Sequence, residues 1–113
     1  MHRGEVWLIN LDPTIGSEIR KTRPVIVVND DEIGILHLKV IVPITDWKDR
    51  YDEVVWMTKI VPNAQNGLTK VSSADSFQVR SVSEDRFVRR LGDISTEELE
   101  DITEALAIVL KIR

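Results

Sequence analysis

The sequence contains no cysteine, only two histidines and no apolar stretch long enough to cross a membrane. The missing thiols exclude a disulfide framework and thiolate metal sites, and they are compatible with a reducing compartment. No charged and then apolar leader follows Met1. The composition therefore predicts a soluble intracellular protein in the cytoplasm, with no membrane association.

Signatures of metal and cofactor binding are also missing. His2 and His37 are too far apart in the sequence to suggest a catalytic pair, and no His or Cys spacing fits a metal site. The acidic clusters at residues 30–32 and 49–53 are typical of solvated turns. We therefore expect no metal ion and no cofactor. The 113 residues fit one domain, residues 1–113, without an internal repeat or linker.

The net charge of −4 is unevenly distributed along the chain. Residues 1–92 hold 13 Lys and Arg against 13 Asp and Glu, whereas residues 93–113 hold 2 against 6. All of the net negative charge therefore belongs to the C-terminal segment. Local groups of Lys and Arg in the remainder can still neutralise a polyanion.

The C-terminal segment is predicted to be a helix. Ser95 and Glu98 have the spacing of a capping box, and Ile94 precedes them as a hydrophobic staple. Lys111 and Arg113 near the end suit the helix dipole. The apolar stripe at helical spacing consists of Leu99, Ile102, Leu106, Val109 and Leu110.

Everything before residue 93 has the pattern of strands and turns. Short runs rich in Val, Ile, Trp and Thr predict strands at residues 5–10, 24–29, 38–45, 53–58, 69–73, 77–81 and 87–91. Turns are predicted at residues 29–34, 49–52 and 63–67. Many short strands and one terminal helix indicate a mainly β fold, a small and strongly bent sheet or barrel that the helix covers.

The segment from Asp12 to Thr22 is polar, rich in hydroxyl and cationic groups, and ends beside Arg23 and Pro24. Pro24 keeps Arg23 out of the helical region, and we expect Pro24 at the first position of a strand, where a missing N–H costs little. The β-branched run at residues 25–28 is typical of a strand buried on both faces. Arg23 is therefore predicted at the rim of a buried strand, positioned to bind a phosphate.

The order of the motifs resembles that of the MazF/PemK/Kid family of bacterial toxins, and the resemblance covers essentially the whole chain. The N-terminal motifs are Arg3-Gly4-Glu5-Val6-Trp7, Asn10-Leu11-Asp12-Pro13-Thr14, Gly16-Ser17-Glu18 and Arg23-Pro24-Val25. The later motifs are Pro43-Ile44-Thr45, Phe77-Gln78-Val79-Arg80-Ser81 and Arg86-Phe87.

The resemblance implies an SH3-like barrel of the CcdB/MazF type with a C-terminal α-helix. It also implies a homodimer that acts as the toxin of a type II toxin–antitoxin system, a ribosome-independent and sequence-selective endoribonuclease acting on single-stranded RNA. Its implied partners are messenger RNA and a cognate antitoxin whose acidic C-terminal segment covers the RNA-binding groove.

Metal-free cleavage of RNA by its own 2′-hydroxyl needs a proton acceptor and stabilisation of the phosphorane charge. Arg23 and Thr45 match the pair that family members place at the scissile phosphate, and a guanidinium fork fits two phosphate oxygens. A rim salt bridge from Arg23 to Glu18 or Asp12, and an ordinary strand-end role for Thr45, are the structural alternatives. Glu18 is the first candidate for the base.

Asp75 is the alternative base, but it lies two positions before Phe77, which stands where many family members carry an acidic residue directly before the glutamine. In a continuous strand Asp75 would share a face with Phe77, with Gln78 and Arg80 on the opposite face. Phe77 is interpreted first as a core residue and second as a stacking surface for an unpaired base.

The predicted RNA contacts are polar or cationic side chains of the loop and of the later motif. They are Thr14, Ser17, Arg20, Lys21, Gln78 and Arg80. A second cationic group, which could also follow the RNA backbone, contains Arg86, Arg89 and Arg90; a merely solubilising role is more to be expected for Arg89 and Arg90 than for the loop cations. Trp7, Trp47 and Trp56 are interpreted as core or dimer-face anchors.

Two other functions stay open at this point. The same barrel serves toxins that bind DNA gyrase through the end of the helix, but this helix ends at residues 110–113 without an aromatic anchor. A non-catalytic SH3-like module that binds RNA or protein is the second alternative, because a fold by itself does not determine function.

Overall fold

The computed structural model describes residues 1–34 and 37–112. It contains seven β-strands and one α-helix: β1 (Glu5–Asn10), β2 (Thr22–Val27), β3 (Leu38–Asp46), β4 (Met57–Ile60), β5 (Ser72–Asp75), β6 (Arg80–Ser83), β7 (Phe87–Asp93) and α1 (Thr96–Leu110). Single 3₁₀ turns occupy residues 49–53, 76–78 and 84–86. The predicted mainly β fold with a C-terminal helix is confirmed.

All seven strands belong to one antiparallel sheet in the order β4-β5-β3-β2-β1-β7, with β6 pairing to β3. The sheet is open, since β4 and β7 lie at the two ends of this order. β3 is the longest strand and pairs with β2, β5 and β6 along its length. Because β3 pairs with three other strands, it connects the two parts of the sheet, and a small sheet arranged in this way can bury apolar side chains on both of its faces.

The sheet packs on both faces because β2 alternates between two apolar clusters. Ile26 and Val28 belong to the cluster that includes Ile102 of α1, whereas Val25 and Val27 belong to the cluster on the other side. All four side chains are buried. The predicted burial of residues 25–28 on both faces is confirmed, and this burial fixes the position of the residues just before them.

Pro24 does not begin β2, which starts two residues earlier at Thr22. Pro24 pairs with Leu8 of β1, but the pairing of β2 with β3 begins only at Val25. The missing N–H of Pro24 therefore needs no partner on the β3 side. The predicted strand start is wrong by two residues, and the preceding Arg23 lies inside β2 rather than before it.

The helix begins as predicted. The Ser95 Oγ accepts a hydrogen bond from the Glu98 N–H at 3.1 Å, and the Glu98 Oε1 accepts from the Ser95 N–H at 2.9 Å. Ile102 is buried, whereas Leu110 is 57% exposed, so the predicted apolar stripe is wrong at its last member. Arg113 lies outside the described residues.

The later strands are displaced from their predicted positions because short turns intervene. The predicted strand at 53–58 is observed at Met57–Ile60, after the turn at 49–53. The predicted strands at 69–73 and 77–81 are observed at Ser72–Asp75 and Arg80–Ser83. In the described part of the chain no helix is both long and apolar enough to span a membrane.

Candidate functional site

A concavity of about 270 Å³ lies where β2, β3 and the loop before β5 meet, and it holds the two principal site residues predicted from the sequence. Arg23 of β2 and Thr45 of β3 both line it, and both are half-buried. Lys70 and Arg89 line the same concavity, together with one carboxylate, Asp46. Three cations and a hydroxyl around one hollow form a site that suits an anion.

The guanidinium of Arg23 is not paired with a neighbouring carboxylate. Its Nε donates to the carbonyl oxygen of Arg20 at 3.4 Å. The carboxylates of Asp12 and Glu18 accept instead from backbone N–H groups of the loop, those of Lys21 at 3.0 Å and Ile15 at 2.7 Å. Arg23 forms no ion pair within residues 1–34 and 37–112, so the alternative of a rim salt bridge to Glu18 or Asp12 is wrong.

Strand pairing brings Arg89 to this concavity, which the sequence interpretation missed. Arg89 of β7 and Pro24 of β2 both pair with Leu8 of β1, so the three residues form one row across the sheet. Lys70 was also missed. Its Nζ lies 3.5 Å from the Asp46 Oδ2, at the lip of the concavity. No local pattern marks either residue, because their proximity to Arg23 depends on contacts between distant segments.

The loop from Asp12 to Thr22 is closed at its base by its own backbone. The Asp12 Oδ1 accepts from the Lys21 N–H at 3.0 Å, and the Leu11 N–H donates to the Lys21 carbonyl oxygen at 3.0 Å. Arg86 donates from Nη1 to the carbonyl oxygens of Asn10 and Asp12, at 3.2 and 2.6 Å. Arg86 therefore holds the start of the loop, and its guanidinium is engaged by protein groups.

The predicted RNA-contacting residues of the loop remain accessible. Ser17 and Arg20 are exposed and Thr14 is half-buried. Arg20 donates from Nη2 to the Gly16 carbonyl oxygen at 3.2 Å. Lys21 is also exposed, with a left-handed backbone (φ 70°). The side chains of the loop can therefore reach a ligand while its main chain stays folded.

A second concavity, of about 530 Å³, lies beside the first. Its lining residues are Ser17, Glu18, Ile19, Pro43, Phe77, Gln78, Val79 and Arg80. Pro43 and Thr45 stand two residues apart on β3, so the same face of this strand contributes to both concavities. The predicted site residues are thus divided between two neighbouring hollows, with Arg23 and Thr45 in one and Glu18, Gln78 and Arg80 in the other.

Asp75 lies under the second concavity and is almost fully buried, with 6% of its surface exposed. Burial raises the pKa of its carboxyl above the usual range, although hydrogen bonds from Phe77 and Gln78 oppose this effect. Its Oδ1 accepts from the Phe77 N–H at 3.1 Å, and its Oδ2 accepts from the Gln78 Nε2 at 3.3 Å. Asp75 lines neither concavity.

Phe77 is 62% exposed, so its interpretation as a core residue is wrong. The predicted strand alternation between Asp75, Phe77 and Gln78 is also wrong, because residues 76–78 form a 3₁₀ turn that the Asp75 side chain caps. The Phe77 ring packs against Trp56, with ring centroids 5.3 Å apart. The exposed ring of Phe77 therefore forms part of the wall of the second concavity, and its contact with Trp56 fixes its position.

The remaining predicted cations and tryptophans have structural contacts. Arg90 forms ion pairs with Glu5, at 3.3 Å, and with Asp93. Trp7 packs edge-on against Phe87, and Trp47 against Tyr51. Among residues 1–34 and 37–112, no three His, Cys, Asp or Glu side chains are grouped so that they could hold a metal ion.

Residues 2–110 match the sequence profile of a family described as "PemK-like, MazF-like toxin of type II toxin-antitoxin system". Among curated proteins, "Endoribonuclease MazF9" of Mycobacterium tuberculosis is 30% identical over 118 aligned residues, which cover 99% of this chain and 98% of that protein. "Endoribonuclease PemK" of Escherichia coli is 48% identical over 46 residues, or 40% of this chain and 35% of that protein.

Solved structures of low sequence identity share the fold. The crystal structure of MazF from Deinococcus radiodurans (Form-I) superposes with a TM-score of 0.79 at 19% identity, covering 98% of this chain and 96% of that one. An endoribonuclease in complex with its cognate antitoxin from a mycobacterial species superposes with a TM-score of 0.78 at 17% identity, covering 100% and 97%. The predicted family resemblance is confirmed.

Proposed function

The chain belongs to the family of PemK-like, MazF-like toxins of type II toxin–antitoxin systems, and on this premise we propose that it is a ribosome-independent endoribonuclease that cuts single-stranded messenger RNA. The observation that carries the proposal is the concavity whose lining includes Arg23, Lys70 and Arg89 together with Thr45. Three cations beside a hydroxyl donor match the needs of a phosphodiester whose charge grows in the transition state.

In the proposed reaction the 2′-hydroxyl of the RNA attacks the adjacent phosphorus. An oxygen–phosphorus bond forms to the 2′-oxygen, the bond to the 5′-oxygen breaks, and the products are a 2′,3′-cyclic phosphate and a 5′-hydroxyl. The 2′-hydroxyl loses its proton to a base, and the leaving 5′-oxygen takes a proton from solvent. This route requires no metal ion and no cofactor.

Arg23 and Thr45 act at the phosphate in this proposal. The guanidinium donates two parallel hydrogen bonds to non-bridging oxygens, and its half-buried setting strengthens them relative to water. The Thr45 hydroxyl donates one more hydrogen bond. Because both groups stand on paired strands rather than on loops, they need little reorganisation as the phosphorane forms.

We assign the base to Glu18 rather than to Asp75. Glu18 is exposed and lines the second concavity, next to the one that holds Arg23. Asp75 is buried and lines neither concavity, and both of its carboxylate oxygens already accept hydrogen bonds. A base must reach the proton that it removes, and Glu18 meets this condition better.

The RNA is proposed to run across both concavities. Thr14, Ser17, Arg20 and Lys21 contact its backbone from the loop, and Gln78 and Arg80 contact it from the second concavity. The exposed ring of Phe77 offers a face on which an unpaired base can stack, a contact worth about 1–3 kcal/mol. Selection of the sequence to be cut would follow from the contacts that residues of the second concavity other than Gln78 make to the bases.

The proposed protein partners are a cognate antitoxin and a second copy of the chain. One structural neighbour is an endoribonuclease in complex with its cognate antitoxin. An acidic antitoxin segment would compete with RNA for the cationic concavity of Arg23, Lys70 and Arg89. We propose the cytoplasm as the place of action, because the proposed substrate is messenger RNA.

The direct test is to incubate the purified protein with single-stranded RNA of diverse sequence in EDTA and to map the ends. Cleavage that leaves 2′,3′-cyclic phosphate and 5′-hydroxyl ends is the expected result. Binding without cleavage would indicate a non-catalytic module instead. A gyrase supercoiling assay tests the remaining candidate function, which is binding to DNA gyrase. Inhibition of gyrase without RNA cleavage would contradict the nuclease assignment.

A further inference from the structure

The amide of Gln78 joins two parts of the chain that are far apart in sequence. Its Oε1 accepts from the Ile19 N–H at 2.6 Å, and its Nε2 lies 3.5 Å from the Ser17 carbonyl oxygen. The same Nε2 donates to the Oδ2 of buried Asp75 at 3.3 Å. A chain of hydrogen bonds thus runs from the end of β5 through the 3₁₀ turn to the loop that carries Glu18.

The order of donors and acceptors along this chain is fixed by Asp75. A carboxylate can only accept, so the NH₂ group of Gln78 must face Asp75. The carbonyl oxygen of Gln78 is then left to face Ile19, whose backbone N–H can only donate. If the amide were flipped, two donors would meet at Ile19 and two acceptors at Asp75, and both contacts would be lost.

We propose that Asp75 is a positioning residue for the cleavage reaction, acting through the orientation of the Gln78 amide to hold the main chain on both sides of Glu18. This inference rests on the proposed endoribonuclease function. Ser17 and Ile19 flank Glu18 directly, so the two contacts of Gln78 hold the main chain from which Glu18 projects, while the Glu18 Oε1 accepts from the Ile15 N–H at 2.7 Å. The loop is also held at its two ends, where Arg86 donates to the Asp12 carbonyl oxygen and Arg23 to the Arg20 carbonyl oxygen, and Ile19 packs against the cluster of Val25 and Val27.

The same geometry limits what Gln78 can do for RNA. Its oxygen and its nitrogen are both engaged by protein groups, so Gln78 does not read a base edge without releasing the loop. Base selection by hydrogen bonds therefore falls to other residues of the second concavity. Asp75 is buried and its pKa is raised, which agrees with a role in accepting hydrogen bonds from Phe77 and Gln78 rather than in supplying a charge.

The test exchanges donor and acceptor in a double-mutant cycle. Asp75→Asn puts an NH₂ group against the NH₂ group of Gln78, and Gln78→Glu puts a carboxylate against the carboxylate of Asp75. Each single substitution is nearly isosteric but breaks the pairing. The double variant Asp75→Asn/Gln78→Glu restores a donor facing an acceptor, leaves an acceptor for the Ile19 N–H and keeps the net charge, and it gives up only the longer contact to the Ser17 carbonyl oxygen.

Two quantities should be measured for all four proteins. The first is hydrogen exchange at the Ile19 amide by NMR, which reports the contact itself and needs no RNA. The second is kcat for cleavage at saturating RNA; KM is recorded separately because a carboxylate nearer the concavity weakens RNA binding. Circular dichroism and Tm establish that each variant is folded.

We expect each single substitution to speed Ile19 exchange and to lower kcat by about tenfold, and the double variant to recover both within about threefold. Single variants with unchanged Ile19 exchange, or a double variant no better than the singles, would overturn the proposal. Recovered Ile19 exchange without recovered kcat would also overturn it, because Asp75 would then act in the chemistry itself. If wild-type protein cut no RNA, the exchange measurement would still test the hydrogen-bond chain separately from the proposed function.

Discussion

Arg23 and Thr45 stand at matching positions on neighbouring strands, each two residues beyond the same cross-strand pair, Val25 and Pro43. Continued by two residues, the register of β2 and β3 sets Arg23 opposite Thr45. The ladder between β2 and β3 ends at the pair Val25 and Pro43, and Thr45 pairs with Ser73 of β5 on the other side of β3. Both residues line the concavity, which therefore lies at the end of this ladder.

Replacing Arg23 should remove activity without unfolding the protein. Arg23→Ala is expected to lower kcat by about 10²–10³-fold, the range for losing one donor to a developing oxyanion. Arg23→Lys should recover only part of it, because an ammonium cannot make two parallel hydrogen bonds. Cleavage of a fluorogenic RNA measures both. Arg50→Ala is the matched control, since Arg50 lines neither concavity. Full activity of Arg23→Ala would remove Arg23 from the mechanism.

The hydroxyl of Thr45 is expected to contribute less than the guanidinium. Thr45→Val keeps the shape and removes the donor, so kcat should fall by about tenfold, as for one uncharged hydrogen bond to a charged oxygen. Thr45→Ser should retain most activity. Single-turnover cleavage rates compare the three proteins, and equal rates for Thr45→Val and wild type would contradict the assignment.

Lys70 and Arg89 should govern the salt dependence of RNA binding. Each phosphate neutralised on a single strand contributes about 0.7 to the slope of log K against log salt concentration. Lys70→Gln and Arg89→Gln are therefore each expected to reduce the slope by about 0.7. Fluorescence anisotropy with a 2′-deoxy-blocked oligonucleotide measures it without cleavage. Lys48→Gln, at an exposed position outside both concavities, should leave the slope unchanged.

Asn66 should be essential for the loop that carries Lys70. Its side chain is fully buried; Nδ2 donates to the Val61 carbonyl oxygen at 2.9 Å, and Oδ1 accepts from the N–H groups of Asn63 and Leu68 at 3.1 and 3.0 Å. Asn66→Leu leaves these groups without partners and is expected to cost about 2–3 kcal/mol of unfolding free energy. Urea unfolding measures it.

The exposed neighbour Gln65 provides the control for Asn66. Only its backbone makes recorded hydrogen bonds, so Gln65→Leu should change the unfolding free energy by less than about 0.5 kcal/mol. Equal stability of the two variants would show that the Asn66 contacts do not hold this loop.

Glu5 should give stability that is lost in acid. Burial by itself raises the pKa of its carboxyl, but hydrogen bonds from Trp7 and His2, together with the positive charges of the N-terminus and Arg90, hold the pKa below its usual value of 4.5. A lowered folded pKa means that the stabilisation is present above about pH 4.5 and disappears as the pH falls through the folded value.

The variant Glu5→Gln should accordingly be less stable than wild type at pH 7, by about 1–2 kcal/mol, with the difference shrinking toward pH 3. Thermal unfolding across this pH range measures it. Glu53→Gln, at an exposed position, is the control. A difference that does not change with pH would contradict the role assigned to the Glu5 charge.

The features that local sequence could predict are those formed by neighbouring residues. The capping box at Ser95 and Glu98 needs only residues three apart, and the burial of residues 25–28 follows from an unbroken β-branched run. Strands β4, β5 and β6 were displaced because side-chain caps such as that of Asp75 compete with extended backbone over short stretches. The spacing of hydrophobic residues does not reveal this competition between caps and extended backbone.

The sequence by itself determined the class of fold, the terminal helix and the place of Arg23 on a buried strand, because local sterics and hydrophobic periodicity act within a few residues. Tertiary structure alone decided that Lys70 and Arg89 join Arg23, that Phe77 faces outward, and that Gln78 turns its amide toward the loop. These relationships join segments far apart in the chain, and they exist only once the strands have paired in one register.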